Sequence, residues 1–352
     1  NVPFVKPSDL SETPITIFEA ENYVTELGAE QGRIIPKGGV MVCCIGSLGK
    51  LAIAGRNLIT NQQINSVIFD ESLVEPKFGA YYLSTVKKEL EHLASNTTVS
   101  IVNKTNFSKL QIPLPSLDEQ KAIVAKLDRA QRLIDIDRAM LAKYDELIQS
   151  VFLEMFGEGE GEKVPVSSLV KLNPRKSEIN DLDKSTEVSF MGMAEVSEDG
   201  QIDASETKTL KEVWKGYTYF KENDVLFAKI TPCMENGKGA IAKGLTNGIG
   251  FGSTEFHVLR PLQGVSTASW IYHLTHSVKF RQIAESFMTG SAGQKRVPMH
   301  FFDRFKVIRP SLDKQYRFEQ FALEVKREKN SLYASVTRSQ ELFSSLLRQA
   351  FG

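Results

Sequence analysis

The chain has 352 residues, of which 41% are hydrophobic and 24% are charged, so it can bury the cores of two globular domains. Its 43 basic and 43 acidic residues cancel, which argues against a uniformly basic nucleic-acid-binding chain and leaves local basic surfaces as candidates. The sequence contains no run of about 18 apolar residues, so it predicts no membrane span. The three cysteines and five histidines lack metal-ligand spacing, so we expect a cytoplasmic protein without a membrane or metal partner.

Short apolar runs bounded by glycine predict strands in the first half of the chain, at residues 39–46 and 51–54. A helical periodicity follows at residues 78–93, and a much longer one extends over residues 117–155. Because the chain begins at Asn1 and not at Met, we expect its native N-terminus to be incomplete.

The second half repeats this order of elements. Residues 224–230 and 255–259 predict strands, and residues 268–287 predict a helix that precedes a final long helical pattern. Strands and helices mixed in this way predict an α+β fold class.

An internal duplication organises the whole chain. Pro-Ser-Leu-Asp-Glu-Gln at residues 115–120 recurs as Pro-Ser-Leu-Asp-Lys-Gln at residues 310–315. Gly-Lys-Leu-Ala-Ile-Ala at residues 49–54 recurs as Gly-Lys-Gly-Ala-Ile-Ala at residues 237–242. Such repeats indicate two matched domains, each followed by a long helix. The predicted boundaries are 1–110 for the first domain, 111–157 for its helix, 158–309 for the second domain and 310–352 for its helix.

Both long helical segments carry a heptad pattern, which Asp137, Lys329 and Ser339 interrupt. Because two matched helices end two matched domains, we expect them to form an antiparallel coiled coil, and their net charges of opposite sign favour this pairing. Packing of each helix on its own domain is the alternative. The residues predicted to pack are Leu127, Ile134, Leu141, Tyr144, Ile148, Val325, Leu332, Val336, Phe343 and Leu346.

Three segments resemble Type I restriction-modification specificity (S) subunits. They are Ile-Pro-Leu-Pro-Ser-Leu-Asp-Glu-Gln-Lys-Ala-Ile at 112–123, Val-Ile-Arg-Pro-Ser-Leu-Asp-Lys-Gln at 307–315 and Gly-Ser-Ala-Gly-Gln-Lys-Arg-Val-Pro at 290–298. The glycine-free residues 95–104 stand at the place of the third segment in the first half. With the strand-rich domains, the resemblance extends over essentially the whole chain.

The resemblance implies a non-catalytic bacterial or archaeal subunit with two target-recognition domains, which read the two halves of a gapped double-stranded DNA target. It implies a pseudo-twofold protein in which the helices set the gap between the half-sites. It further implies two methyltransferase (M) subunits and restriction/translocase (R) subunits as partners. S-adenosylmethionine, ATP and Mg²⁺ would then be bound by those partners only.

The sequence itself contains no motif for catalysis, cofactor binding or metal binding. Gly49-Lys50 and Gly237-Lys238 lack the hydroxyl residue that completes a P-loop. Asn173-Pro174-Arg175 approaches an adenine-methyltransferase motif but has arginine at its third position. We therefore expect a protein that reads DNA and does not modify it.

Residue types that bond to base edges and phosphates mark the candidate DNA-binding loops. Arginine and lysine suit guanine, asparagine and glutamine suit adenine, and turn lysines suit phosphate. In the first half the candidates are Lys50, Asn61, Gln62, Asn103 and Lys104. In the second half they are Lys229, Thr231, Lys238, Ser291, Gln294, Lys295 and Arg296. For each of them, an ordinary solvated loop residue is the alternative.

Two other functions remain open from the sequence. The chain could be a DNA-binding adaptor of another defence or restriction complex, or a coiled-coil scaffold without a role on DNA. A scaffold gives no reason to duplicate a loop such as Gly-Lys-x-Ala-Ile-Ala, so the specificity subunit is the favoured interpretation.

Overall fold

The computed structural model describes residues 1–94, 100–157, 161–291 and 293–352. The chain divides into two compact units. Unit 1 comprises residues 1–140 and 331–352, and unit 2 comprises residues 141–330. Both units contain sheets and helices, which confirms the predicted α+β class.

The strands of unit 1 form two sheets. In chain order they are β1 (Val2–Val5), β2 (Thr16–Ile17), β3 (Asn22–Val24), β4 (Val40–Cys43), β5 (Leu51–Ala54), β6 (Ile59–Thr60) and β7 (Ile64–Val67). One sheet has the order β3-β1-β6 and the other the order β2-β5-β4-β7. β1 is antiparallel to β3 and parallel to β6, and β4 is antiparallel to both β5 and β7.

Strand β4 lies at the centre of unit 1 and is buried on both faces. Its alternate side chains enter two different apolar clusters, Val40 and Val42 on one face and Met41 and Cys43 on the other. This explains why residues 39–46 form a continuous apolar run without polar alternation.

The helices of unit 1 flank these sheets. They are α1 (Glu26–Glu30), α2 (Pro76–Thr85), α3 (Lys87–Leu93), α4 (Lys104–Phe107) and the first half of α5 (Leu117–Phe156). α2 begins with a proline in its first turn, and the Glu75 carboxylate accepts a hydrogen bond from the Phe78 N–H.

Unit 2 contains a corresponding set of strands. They are β8 (Lys163–Pro165), β9 (Val170–Leu172), β10 (Glu187–Met191), β11 (Thr207–Thr209), β12 (Thr218–Lys221), β13 (Val225–Ala228), β14 (Gly239–Ile241), β15 (Ile249–Gly252), β16 (Phe256–Pro261) and β17 (Lys306–Ile308). They form sheets in the orders β11-β10-β15-β12, β14-β13-β16-β9 and β17-β8. The helices are α6 (Leu210–Val213), α7 (Ala268–His276), α8 (Val278–Phe287), α9 (Phe301–Arg304) and the first half of α10 (Leu312–Phe351).

The sheet topology repeats between the units, in agreement with the sequence duplication. β13 is antiparallel to β14 and β16, as β4 is to β5 and β7. β10 is antiparallel to β11 and parallel to β15, as β1 is to β3 and β6. Each unit therefore has one central buried strand with the same two kinds of neighbour.

The long helices α5 and α10 have 40 residues each and contribute one half to each unit. In unit 2 the Lys314 Nζ donates to the Met155 backbone oxygen, and Lys329 forms an ion pair with Asp145. Residue numbers rise in one helix as they fall in the other, so the helices run antiparallel there. Lys329, which interrupts the heptad pattern, is thus neutralised by a carboxylate of the facing helix.

The residues predicted to pack between the helices are buried or half-buried in the structure. Leu127, Ile134 and Phe343 lie in one apolar cluster of unit 1, with Val336 and Leu346 at its margin, and Ile148 borders a cluster of unit 2. Val325 is buried, and Leu141, Tyr144 and Leu332 are half-buried. The unit 1 cluster also contains Phe78 and Tyr81 of α2, so the helices pack both on each other and on the domain.

A buried glutamine of the duplicated Pro-Ser-Leu-Asp motif joins each long helix to its domain. Gln120 accepts a hydrogen bond from the Glu75 N–H and donates to the oxygens of Leu73 and Pro115. Gln315 makes the same three bonds, to the Thr267 N–H and the oxygens of Val265 and Pro310. Both side chains are fully buried, so one amide fixes the same junction twice.

Candidate nucleic-acid interface

The DNA-binding candidates of unit 2 come together where β13 ends. Three separate segments meet there through backbone hydrogen bonds. The Val297 N–H donates to the Lys229 oxygen at 2.8 Å, and the Thr231 N–H donates to the Lys295 oxygen at 3.0 Å. The Lys229 N–H in turn donates to the Glu255 oxygen at 2.9 Å.

Unit 1 has the same backbone frame at the end of β4. The Val102 N–H donates to the Cys44 oxygen at 2.9 Å, and the Gly46 N–H donates to the Ser100 oxygen at 3.1 Å. The Cys44 N–H donates to the Gln63 oxygen at 2.8 Å. The two frames therefore correspond place by place. Cys44 corresponds to Lys229, Gln63 to Glu255, and the segment 100–102 to the segment 295–297.

The turn that precedes Gln63 in unit 1 and the turn that precedes Glu255 in unit 2 are also built alike. The backbone N–H of Asn61 donates to the Val5 oxygen, and that of Ser253 donates to the Met191 oxygen, each at 3.1 Å. The Asn61 side-chain oxygen accepts from the Gln63 N–H, as the Ser253 hydroxyl oxygen accepts from the Glu255 N–H. Asn61 thus has a turn-forming role in addition to any role on DNA.

The duplicated Gly-Lys turns lie beside this frame. The Cys43 N–H donates to the Lys50 oxygen at 2.8 Å, and the Ala228 N–H donates to the Lys238 oxygen at 3.1 Å. The preceding glycine has a φ of +83° in both turns, a conformation that favours glycine. The Lys238 ammonium donates to the Met193 oxygen, whereas within the described residues the Lys50 ammonium has no such bond.

We call these two places the strand-end surfaces. That of unit 1 comprises residues 44–50, 61–63 and 100–104, and that of unit 2 comprises residues 229–238, 253–255, 289–291 and 293–297. All twelve DNA-binding candidates of the sequence lie on them, five in unit 1 and seven in unit 2.

The unit 2 surface contains a charged cluster at its centre. The Arg296 guanidinium donates from Nε and Nη2 to the Glu255 carboxylate, with closest distances of 2.9 Å, and from Nη1 to the Gln294 oxygen at 3.1 Å. The bond from Arg296 lowers the pKa of Glu255 below its usual range. Lys229 stands beside this pair, and its partial burial lowers the pKa of its ammonium.

The remaining unit 2 candidates surround this cluster. The side chains of Ser291, Gln294 and Lys295 are exposed and have no intramolecular hydrogen bond within the described residues. The Thr231 hydroxyl donates to the Glu235 carboxylate at 3.0 Å. Lys295 and Gln294 are therefore the most accessible donors of this surface.

The unit 1 surface carries several side-chain amides. Gln62 is exposed, and the neighbouring Asn61 amide donates to the Gln63 side-chain oxygen at 2.9 Å. The Asn103 side chain caps α4 by accepting from the Asn106 N–H, and Lys104 is the exposed first residue of that helix. Residues 95–99, which belong to the glycine-free counterpart of the 290–298 segment, lie outside the described residues.

Sequence reasoning missed two side chains that hold the unit 2 surface in place, Glu255 and His257. The buried His257 donates from Nε2 to the Val297 oxygen at 2.8 Å, and its Nδ1 accepts from the Asn173 amide at 3.3 Å. Burial lowers the pKa of His257 to about 4, so its ring is neutral at pH 7. Both residues lie in the strand predicted at residues 255–259. A polar side chain among the apolar ones of a strand was the signal in the sequence that could have indicated them.

No helix within the described ranges is long and apolar enough to cross a membrane. The same residues contain no group of three or more His, Cys, Asp or Glu side chains placed to hold a metal ion.

Comparison with known proteins shows similarity to one family of subunits. The sequence model of the Type I restriction modification DNA specificity domain matches residues 1–143. The specificity subunit of the EcoAI Type I restriction enzyme of Escherichia coli is 39% identical over 189 residues, which cover 52% of this chain and 31% of that protein. The EcoEI specificity subunit of the same species is 34% identical over 244 residues, which cover 67% and 40%. The chain thus spans less than half the length of these curated relatives.

A solved structure shares the fold over nearly the whole chain. It belongs to work on complex assembly and conformational transition of the type I R-M system, and it aligns with a TM-score of 0.60 at 16% identity. The alignment covers 99% of this chain and 90% of that one. By sequence, the chain is similar to Type I restriction-modification specificity subunits, and its residues 1–143 match the model of their DNA specificity domain.

Proposed function

We propose that this chain is a DNA-reading subunit of a Type I restriction-modification complex, with one strand-end surface for each half of a gapped target. It would direct methyltransferase and restriction subunits to that target without catalysing a reaction itself. S-adenosylmethionine, ATP and Mg²⁺ would belong to those partner subunits.

The observation that carries the proposal is the repeated backbone frame with different side chains on it. The bonds of the Cys44, Gly46 and Val102 amides recur at Lys229, Thr231 and Val297. A protein that reads two different half-sites needs two equal frames with two different sets of side chains, because base edges are read by side chains. A scaffold would need neither feature.

The residue types on the two surfaces support the same proposal. Amides of glutamine and asparagine suit adenine, and the guanidinium and ammonium groups of unit 2 suit guanine and phosphate. Zero net charge of the whole chain is compatible with DNA binding because Lys229, Lys238 and Lys295 lie together on the unit 2 surface.

The test is single-molecule methylation mapping of genomic DNA from cells that express this chain together with the methyltransferase subunit of its own system. We expect adenine methylation at one bipartite, gapped motif, which disappears when this chain is omitted. Methylation that does not depend on the chain would contradict the proposal and favour an adaptor role.

A second measurement separates DNA reading from scaffolding. The assembled complex should lose affinity for duplex DNA steeply as salt is raised, because phosphate contacts release counterions. A complex that assembles normally but shows no salt-dependent binding to DNA would favour the scaffold.

A further inference from the structure

We infer that Arg296 reads one guanine in the half-site bound by unit 2, and that Glu255 positions the guanidinium for this contact. The inference rests on the proposed function and deepens it. It assigns one type of base pair to one side chain and a supporting role to a carboxylate that touches no DNA.

The hydrogen bonds of Arg296 leave a defined pair of donors. A guanidinium has five N–H groups. The Nε–H and one Nη2–H donate to Glu255, and one Nη1–H donates to the Gln294 oxygen. One N–H on each terminal nitrogen remains. The side chain as a whole is 42% exposed, so the guanidinium lies at the surface of unit 2.

Guanine fits this remaining pair. Its N7 and O6 atoms are two adjacent acceptors on the major-groove edge, and a bidentate contact to them is the commonest specific use of arginine on DNA. Lysine cannot replace arginine there, because an ammonium lacks the planar fork. Held at three of its five donors, the guanidinium loses little further freedom on binding.

The neighbouring carboxylate favours a base over a phosphate as the ligand. Glu255 is ionised and lies 2.9 Å from Arg296, so the pair carries almost no net charge. A neutral pair attracts a phosphate weakly, but its N–H groups still donate to the uncharged edge of a base. The exposed Lys295 next to it has no such carboxylate partner within the described residues and suits the phosphate.

The unit 1 surface lacks this arrangement. In the common backbone frame, Ile101 and Gln63 stand at the places of Arg296 and Glu255. A side chain with no N–H donor cannot read guanine in this way. The guanine assigned to Arg296 therefore belongs to one half-site only, and the two halves of the target should differ.

The experiment compares three single substitutions in the complex with methyltransferase, by methylation motif and by DNA affinity at several salt concentrations. Arg296→Lys keeps the charge and removes the fork. We expect it to lose discrimination at one G·C pair of one half-site by roughly 5- to 150-fold, the range for one bidentate base contact. Its affinity for non-cognate DNA should not change.

Glu255→Gln tests the positioning role, because it keeps Arg296 and removes only the carboxylate. We expect partial loss of discrimination at the same G·C pair, together with tighter and more salt-dependent binding to non-cognate DNA. A merely structural role of Glu255 would lower complex yield without changing the motif. Circular dichroism and assembly with the methyltransferase show whether each variant is folded.

Lys295→Ala is the matched control on the same loop. It should weaken binding to all sequences alike and leave the motif unchanged. If Arg296→Lys leaves the motif unchanged while the variant is folded and assembled, the inference is wrong. If the unsubstituted chain itself gives no gapped motif, the proposed function fails instead, so the two failures are distinguishable.

Discussion

The strand-end surfaces of unit 1 and unit 2 share a backbone and differ in their side chains. Three main-chain bonds recur in both. Cys44, Gln63 and Ile101 nevertheless stand in unit 1 at the places that Lys229, Glu255 and Arg296 have in unit 2. Main-chain hydrogen bonds do not depend on the side chain, so the frame tolerates substitution. The side chains of the two surfaces are thus free to diverge toward different ligands.

The helix junctions show the opposite behaviour. There the bonds are made by the side-chain amides of Gln120 and Gln315, and the residue is the same in both copies. At the junction the side chain makes the bonds and the residue is retained, whereas at these three places of the frame the backbone makes them and the residues differ.

The largest expected effect is on the free energy of unfolding, and it should be greater for a helix contact within unit 2 than for one within unit 1. Phe318 is fully buried, and its ring lies 5.2 Å from that of Phe152 and 5.6 Å from that of Phe156. We expect Phe318→Ala to lower the free energy of unfolding by about 3–5 kcal/mol. Phe343→Ala in unit 1 should cost less, since its ring lies 6.1 Å from the Tyr81 ring.

Denaturant unfolding measures both changes. Tyr316→Ala is the control, because Tyr316 is 53% exposed on the same helix and should change the free energy of unfolding by less than about 0.5 kcal/mol. Equal losses for Phe318→Ala and Tyr316→Ala would contradict the packing described for α10.

The next largest loss of stability is expected from substitution of the two junction glutamines, Gln120 and Gln315. Gln315→Leu removes three hydrogen bonds and leaves the buried Thr267 N–H without a partner, so we expect a loss of roughly 2–4 kcal/mol in the free energy of unfolding. Gln120→Leu should cost less, because the Glu75 N–H is only part-buried. Gln320→Leu serves as the control in denaturant unfolding, because Gln320 is exposed on the same helix. A loss for this control as large as that of Gln315→Leu would refute the role of the junction.

Acidic pH should loosen the unit 2 surface and spare that of unit 1. The pKa of His257 is lowered to about 4 from an ordinary value near 6.5, so the folded state favours the neutral ring. The contribution of His257 to the stability of the folded state is therefore fully present above about pH 6.5, and it is lost as the pH falls toward 4. The full effect is roughly 3 kcal/mol, since one pKa unit corresponds to about 1.4 kcal/mol.

Amide hydrogen exchange between pH 7 and pH 4.5, corrected for the intrinsic rate, measures this difference. Protection of the Val297 amide should fall at low pH, and protection of the Val102 amide should not. In His257→Gln the fall at Val297 should be reduced. His273 and His276, whose pKa values burial also lowers, remain in that variant and contribute a background of the same sign.

The turn lysines give the smallest effect. Lys238→Met removes the bond to the Met193 oxygen and should cost about 1 kcal/mol of stability, whereas Lys50→Met should cost less than about 0.5 kcal/mol. Both should lower DNA affinity for all sequences and reduce the salt dependence by about one phosphate contact. Equal stability losses, from thermal unfolding, would contradict the different environments of the two lysines.

Much of the fold was predictable from the sequence because the apolar periodicity of a helix or strand is a local pattern. The helix predicted over 117–155 is observed as α5, and the central strands lie within residues 39–46 and 224–230. The helical segments predicted over 78–93 and 268–287 are helical, but each divides into two helices. Ser277 ends α7 in an extended conformation and caps α8 by accepting from the Phe280 N–H, a break that the apolar periodicity does not show.

The candidate site was predictable in composition but not in geometry. Lys229 and Arg296 were predicted as separate loop residues, and nothing in their spacing indicates that Arg296 pairs with Ile230, 66 positions earlier in the chain. Glu255 was missed because a carboxylate near a strand reveals its role only when the cation that it orients is known. Long-range pairing is a property of the folded sheet, and no local pattern encodes it.

Site-specific photocrosslinking to a half-site-labelled duplex tests the central claim most directly. A photoreactive amino acid is placed at Gln62 or Lys295, on the two strand-end surfaces, in the assembled complex. The exposed Glu71 and Gln263, beyond the opposite ends of β7 and β16, are matched controls. Crosslinks from position 62 to one half-site and from position 295 to the other, with none from the controls, are the predicted result. Crosslinks from both positions to the same half, or from the controls only, would contradict the account.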